Sequence, residues 1–445
     1  MSGDPGSGRP PRFAHLADWL GWQQTLHPRA IDLGLERVAA VWARLGPVRP
    51  PWPVVTVGGT NGKGSCVALL EAIYGAAGYR TGVYTSPHLL RYNERIRIDG
   101  VEVDDAALCA AFARVDAARG DIALTYFEFG TLAALDLFAR AAPDLVILEV
   151  GLGGRLDAVN LLDADVAIVT TIGRDHTAWL GEDPDAIALE KAGIFRADRP
   201  AIIGQRTAPA ALRRRAEGLG AQVMQLGREF DGDTSEDSGS WSWRGPDGRR
   251  LALPTPALRG AFQRDNAAAA VMAVRCLAAR LPVSNAAIRQ GLARARLAGR
   301  FQVVPGGPTW ILDVAHNAQA AAALAGNLAA WPRIGRRHAV LAVLADKEPA
   351  AIAAALRPFV DVWHLTATDD PRALPVADLA AAVAEATPGA EVRTYSDVRT
   401  ALEGAAGVAA VDETVLVVGS FTTVEAALHH LGPTVDGAGT RAAGI

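Results

Sequence analysis

Three lysines occur in this chain of 445 residues, Lys63, Lys191 and Lys347, among 44 basic residues that are otherwise arginine. A generic positive charge is supplied here by arginine. A retained lysine therefore marks a place for chemistry that a guanidinium cannot do: a compact charge on a flexible stem, or an amine that can lose its proton and act as a nucleophile. Lys63 stands in Gly58-Gly59-Thr60-Asn61-Gly62-Lys63-Gly64-Ser65, directly after the apolar run 54–57. Glycines let backbone N–H groups curl round phosphate oxygens, and the helix that follows presents its positive end to them. Lys63 would then reach the β- and γ-phosphates of a nucleotide. The strict phosphate-loop pattern is not met, because Val57 takes the first glycine position and Gly64 follows the lysine. A turn-forming glycine cluster is the alternative. The upstream strand, the downstream apolar helix and the rare lysine favour the nucleotide.

Three further residues could do chemistry. Glu149 ends the apolar run 145–150. Ligands of open α/β sheets bind beyond the carboxyl ends of the strands. A buried carboxylate there calls for a cation, and Mg²⁺ on nucleotide phosphates is one. His176, in Asp175-His176-Thr177, follows the next apolar run and reaches the same edge, although imidazole is a softer ligand than Mg²⁺ usually takes. Lys191, in Glu190-Lys191-Ala192-Gly193, reads either as a surface lysine at a helix end or as an amine that adds CO₂. The resulting carbamate would turn a cation into a carboxylate-like metal ligand.

The elements that must position these groups alternate along the chain. Runs 54–57, 145–150, 166–170 and 201–203 read as buried strands of a parallel sheet, with a helix over 66–77 between the first two. Such βαβ rhythm implies an α/β fold with helices on both faces. The polar segment 231–248 reads as a hairpin or mobile loop. An Ala-rich helix is expected at 266–281. A second βα series is expected through 309–314, 339–344, 362–366 and 415–418. The expected division is a disordered 1–12, an ATP- and substrate-binding domain at 13–297, a second α/β domain at 298–433 and a flexible tail at 434–445, with the boundary near Ala298. A net charge of −4 argues against a nonspecific nucleic-acid binder. Three cysteines without metal-like spacing fit a reducing cytosol. No apolar run reaches membrane-spanning length, and the Gly/Pro-rich start is no signal peptide.

Taken in order, these segments resemble the Mur ligase superfamily, and within it the folate branch, dihydrofolate synthase/folylpolyglutamate synthase. The resemblance rests on Ala30-Ile31-Asp32-Leu33-Gly34-Leu35-Glu36-Arg37-Val38, residues 59–65, Tyr84-Thr85-Ser86-Pro87-His88-Leu89 and Leu124-Thr125-Tyr126-Phe127-Glu128. It continues through residues 148–160, 175–181 and 190–196. In the second half it rests on 299–302, 313–317, Asp346-Lys347 and Gly419-Ser420-Phe421. Each motif is weak alone; the ordered set is specific.

The resemblance implies a P-loop, parallel-sheet ATPase domain followed by a smaller Rossmann-like glutamate ligase domain. It implies an ATP-dependent ligase that forms a C–N bond. L-glutamate would be joined to 7,8-dihydropteroate and to reduced folates through an acyl phosphate. By the same resemblance Thr60, Asn61, Gly62, Lys63, Gly64, Ser65, Asn266, Arg300 and Asp313 hold ATP. Ser86, Glu149, His176 and a carbamylated Lys191 hold two Mg²⁺. Lys63, Lys191, Arg300 and His316 are the implied catalytic set. Ala30, Ile31, Asp32, Leu33, Thr125, Tyr126, Phe127, Glu128, Leu156, Asp157 and Ala158 are the implied acceptor-binding set. A cytoplasmic monomer with no nucleic-acid or membrane partner is expected. The chain departs from the family where Ala30 replaces a common threonine. That keeps folylpolyglutamate synthase activity alone as the alternative. Lys347 matches a family lysine but has no role assigned; a glutamate or phosphate site and a structural ion pair are both open.

Overall fold

A computed structural model describes residues 12–46, 50–234 and 239–432. The expected disorder at 1–11 and the flexible tail at 434–445 lie outside the described residues. Arg12, counted with that first segment, is held by Asp116 at 3.0 Å and covers the Trp22 ring.

The strands are β1 (Val54–Gly58), β2 (Thr81–Tyr84), β3 (Ile96–Ile98), β4 (Val101–Glu102), β5 (Leu145–Glu149), β6 (Val166–Val169), β7 (Pro200–Ile203) and β8 (Gln222–Gln225). After them come β9 (Asp231–Thr234), β10 (Ser240–Arg244) and β11 (Arg250–Pro254). The last group is β12 (Gln302–Val304), β13 (Thr309–Leu312), β14 (Arg337–Leu341), β15 (Val362–Leu365), β16 (Glu391–Thr394) and β17 (Thr414–Val418). The first eight form one sheet in the order β4-β3-β2-β5-β1-β6-β7-β8. It is parallel from β2 to β8; β3 and β4 add an antiparallel edge. Strands β1, β5 and β6 are buried end to end, as central strands covered on both faces must be. Their side chains alternate between two cores. Val54, Val146 and Leu148 enter one; Val55, Val57 and Ile147 enter the other, beneath the helix Lys63–Ala76. The register pairs Val57 with Glu149 and Gly58 with Val169, which brings the glycine loop, Glu149 and the end of β6 to one sheet edge.

The second half carries its own sheet, β12-β13-β17-β14-β15-β16, parallel apart from the edge strand β12. It too has a core on each face. The chain passes from one sheet to the other between the helix Asn285–Arg294 and β12. A polar chain crosses the second sheet inside its core. His338 Nε2 lies 3.2 Å from Glu413 Oε2, His338 Nδ1 lies 3.1 Å from His364 Nε2, and His364 Nδ1 lies 2.9 Å from the Tyr395 hydroxyl.

Two expectations need correction and one is sharpened. Segment 231–248 takes the hairpin alternative, β9 pairing antiparallel with β10. Its described residues belong to a three-stranded antiparallel sheet, β11-β10-β9, that buries Trp241 and Trp243. The indole of Trp243 donates to the Ala268 carbonyl and that of Trp241 to the Pro254 carbonyl, so these aromatics fasten the sheet down. The helix expected at 266–281 spans Ala261–Cys276. Its first turns carry Gln263 and Asn266, polar residues that hide the helical start and that the site uses. Strand β14 begins at Arg337, two residues earlier than the apolar run, because Arg337 and His338 are buried despite their polarity. Among the described residues no helix is long and apolar enough to cross a membrane.

Candidate active site

The glycine loop is tied to the end of β6. Thr60 N–H donates to the Thr171 carbonyl at 2.7 Å, Thr60 Oγ1 donates to the Gly173 carbonyl at 3.0 Å, and Asn61 N–H donates to Thr171 Oγ1 at 3.0 Å. Gly62, at φ +86°, caps the helix Lys63–Ala76 in a conformation that disfavours any side chain; a Cβ there would lie 2.6 Å from Asn266 Oδ1. The Lys63 ammonium folds into the loop and donates to the Gly59 and Thr60 carbonyls at 3.0 and 3.2 Å. Ser65 Oγ accepts from Gln263 Nε2 at 3.1 Å, and Gln263 Oε1 accepts from Asn266 Nδ2 at 2.9 Å. The start of the Ala-rich helix is thus locked to the phosphate loop.

Glu149 is buried beside this loop, and a Cβ on Gly64 would lie 3.7 Å from its carboxylate. The Ser86 N–H at 3.2 Å is the one hydrogen-bond donor to that carboxylate among the described residues. Burial pushes the Glu149 carboxyl above its ordinary range, opposed by Lys63, the Ser86 N–H and Arg300. His176 sits at φ +52°. The side chain is exposed at the cavity wall, and desolvation inside the cleft, with Lys347, Lys63 and His316 nearby, brings its imidazole down to about 4, so the ring is neutral with a lone pair to give. Lys191 is 5 % exposed, not the surface lysine that its place at a helix end allowed. Burial, and then the charge of Lys63, bring its amine down to about 7. Among the described residues no group of three or more His, Cys, Asp and Glu is arranged to hold a metal. The candidate set differs in kind: a hydroxyl, a carboxylate, a neutral imidazole and an amine. The under-bonded buried carboxylate and the Ser86 hydroxyl fit a hard cation that also takes phosphate oxygens, and a neutral imidazole can complete such a set.

The second sheet closes the site from the other side. Asp313, beyond the end of β13, accepts from the Phe301 and Ala315 N–H groups at 2.8 and 2.9 Å; burial nevertheless raises its carboxyl. Arg300 is half-buried, its guanidinium over the Phe421 ring at 5.3 Å, and desolvation lowers its pKa from the ordinary arginine value. Asp175 of the first sheet accepts three side chains of the second half: Lys347 Nζ at 2.7 Å, Asn317 Nδ2 at 3.1 Å, and His316 Nε2, which lies 3.2 Å away. Lys347 is therefore at least the ion pair left open by its sequence, and it crosses between the two sheets.

These groups surround one cavity of about 850 Å³. Every expected site residue lines it except Tyr126 and Lys191. Tyr126 turns away to Tyr92 and the Arg95 guanidinium. Several expected acceptor-binding residues also hold the structure. Thr125 and Glu128 cap the helix Tyr126–Ala141 reciprocally. Arg37 bridges Glu128 and Asp32, at 2.9 and 2.7 Å. Asp157 accepts from the Leu152 and Val159 N–H groups, and burial lifts its carboxyl to about 6. Two residues without an assigned role emerge. Arg37 stood inside a quoted motif. Arg95 lines the cavity, donates to His88 Nδ1 at 2.8 Å and lies over the rings of Tyr92 and Tyr126. The signal for Arg95 was its alternation with Arg97 through the apolar edge strand β3.

Comparison with known proteins agrees with this geometry. Residues 57–274 match the Mur ligase middle domain, and residues 299–421 match the Mur ligase glutamate ligase domain. The chain is 46 % identical over 415 residues to dihydrofolate synthase/folylpolyglutamate synthase of Escherichia coli, covering 93 % of this chain and 95 % of that protein. It is 39 % identical over 427 residues to the Haemophilus influenzae protein of the same name, covering 92 % and 96 %. E. coli FolC in complex with DHPP and ADP superposes with a TM-score of 0.88 at 45 % identity, over 95 % of this chain and 99 % of that one. A bifunctional folylpolyglutamate synthase/dihydrofolate synthase with Mn, AMPPNP and L-glutamate bound superposes with a TM-score of 0.85 at 45 % identity, over the same shares.

Proposed function

The chain belongs to the dihydrofolate synthase/folylpolyglutamate synthase family of Mur ligases, and from that premise we propose that it joins L-glutamate to 7,8-dihydropteroate and to reduced folates at the expense of ATP. One observation carries the reading. The phosphate loop, the acceptor segments and the second sheet line a single cavity.

A carboxylate and an amine do not condense at useful rates at neutral pH. Transfer of the γ-phosphoryl group to the acceptor carboxylate gives an acyl phosphate and ADP. The α-amine of glutamate then attacks the acyl carbon, and phosphate leaves as the amide forms. Lys63, inside the glycine loop, follows the phosphates; Arg300 approaches from the second sheet to oppose the charge that builds during transfer. Asn266 and Ser65, joined through Gln263, would orient the nucleotide. Contacts across Asp175 keep the two sheets together and keep water from the acyl phosphate. Ser86, Glu149, His176 and Lys191 as a carbamate would hold two Mg²⁺, which supply charge neutralisation at the phosphates. A buried amine at about 7 supports the carbamate, because the neutral form is the one that adds CO₂. His316, held between the Val314 carbonyl and Asp175, is a further contact for the nucleotide. The division into a domain at 13–297 and one at 298–433 follows the chain's passage between the sheets. Free cysteines suit a cytoplasmic enzyme, and a monomer is the working state.

The test is glutamate-dependent phosphate release with ATP, Mg²⁺ and bicarbonate, offering dihydropteroate and a reduced folate in parallel. Turnover with both is expected. Release that ignores glutamate would overturn the reading, and turnover of the reduced folate alone would restrict it to polyglutamylation.

A further inference from the structure

Burying a charge is costly unless it is paired, and a buried donor without an acceptor adds to that cost. Arg337, the first residue of β14, carries both costs. It is 2 % exposed, and its Nε, Nη1 and Nη2 have no hydrogen-bond partner among the described residues. The carboxylate whose charge acts on it is Asp361. Both oxygens of Asp361 accept from Arg333 Nη2 at 2.7 Å, and from Arg337 it takes only the backbone N–H. The other acids at this end of the sheet are engaged as well. Glu391 pairs with Arg336 and Arg393. Glu413 accepts from the Arg336 and Ala410 N–H groups and meets His338. Two guanidinium groups therefore share Asp361, and one positive charge is left over. Burial and then the charge of Arg333 lower the pKa of Arg337, with Asp361 opposing them.

The neighbours on the same face of the sheet add donors, not acceptors. Successive strand residues alternate between the two faces. His338 lies toward His364, so Arg337 stands on the other face with Ala339 and Leu341. Trp363 of β15, in register with Ala339, enters that same core at 0 % exposure, and its indole N–H also lacks a partner among the described residues. Thr414 of β17, in register with Arg337, brings a hydroxyl to this side. A buried water would accept these hydrogen bonds but leave the charge uncompensated. An anion answers both needs. One surplus charge at the edge of an apolar core calls for a small monovalent anion; inorganic phosphate, more than singly charged at neutral pH, would overcompensate it.

We propose that a chloride-sized anion is held between the Arg337 guanidinium and the Trp363 indole N–H, where β14 and β15 begin. The site lies at the opposite end of the second sheet from the ligase cavity, whose Asp313 and Ser420 follow β13 and β17. Its role is structural: the anion joins two strands. The test follows urea unfolding of the full chain at fixed ionic strength while sodium gluconate is replaced by sodium chloride. A site present only in the folded state multiplies the folding constant by roughly ten for each tenfold rise of chloride above its dissociation constant. The wild type should show that dependence and Arg337→Met should lose it. A wild type indifferent to chloride, or an Arg337→Met variant with the wild-type dependence, overturns the inference. Bromide-soaked crystals of the wild type give a second readout that needs no variant. An anomalous peak within hydrogen-bond reach of Arg337 and of Trp363 Nε1 is expected. A guanidinium turned onto Asp361, or a water in place of the peak, overturns the site.

Discussion

At the scale of single residues the decisive group is the Lys191 amine. Its burial and the nearby charge of Lys63 hold it near neutrality, a state that arginine does not reach. We expect Lys191→Arg to lose ligation by more than about a hundredfold while still binding ADP, since one transition-state charge partner is worth roughly that much. Near-wild-type turnover would remove the carbamate from the mechanism. Lys191→Ala should regain activity with added acetate or formate. A second prediction concerns Gly62. An alanine there must adopt a left-handed φ and press on Asn266 Oδ1, so Gly62→Ala should weaken ADP binding by about tenfold or more in calorimetry. Unchanged affinity would mean that the loop relaxes freely. The meeting of Lys63, Glu149 and His176 at one cavity was legible because each is an unusual residue type at a strand end. The capping role of Glu128 was less so. The Thr125-x-x-Glu128 spacing is that of a capping box, yet the resemblance marked both residues only as acceptor contacts. Arg37 and Arg95 were hidden by numbers, two arginines among many.

At the scale of elements, apolar runs located the strands well because central parallel strands are buried on both faces. The failures have a common physical origin: polar side chains that are buried, most with partners and one, the Arg337 guanidinium, without a hydrogen bond. Trp241 and Trp243 sit in a segment whose composition reads as loop, and β14 starts with Arg337 and His338. The His338–His364 chain also makes a prediction. An ionised Glu413 accepts from His338 Nε2–H, His338 Nδ1 accepts from His364 Nε2–H, and His364 Nδ1 accepts from the Tyr395 hydroxyl. One neutral tautomer of each ring satisfies every atom. Burial and His338 bring His364 down to about 4, against about 6.5 in an unfolded chain. The unfolded chain therefore takes up the proton first as pH falls. The stability conferred by the neutral ring is complete above about pH 6.5 and is lost progressively from there to about pH 4, up to about 3 kcal/mol. The urea midpoint of the wild type should fall between pH 7 and pH 4.5 more steeply than that of His364→Gln. Parallel slopes would remove the chain from the acid response.

At the scale of the whole molecule, Asp175 is the hub between the sheets. One carboxylate takes Lys347, Asn317 and His316, and Asn61 adds a 2.8 Å contact to Gln319. Only the approach of the two sheets reveals this, so the sequence offered an ion pair for Lys347 but not its partner. Burial raises the Asp175 carboxyl, but His316 and Lys347 outweigh it and hold the group well below the usual carboxylate range. Lys347→Met leaves that charge without its nearest partner, a loss of about 3 kcal/mol or more that separation of the two halves can relieve. The variant should show a larger radius of gyration by X-ray scattering and a kcat/KM reduced by about two orders of magnitude. An unchanged radius with unchanged kinetics would sink the idea that this contact holds the halves closed. The scarcity of lysine acquires a further meaning at this scale. Lys63 and Lys347 line the cavity and Lys191 is buried close enough to feel Lys63, so every ε-amine of the chain belongs to the site. Reagents that acylate amines would find almost no target on the outer surface. Covalent labelling of this protein would then work as an occupancy gauge, with bound nucleotide protecting Lys63 from modification.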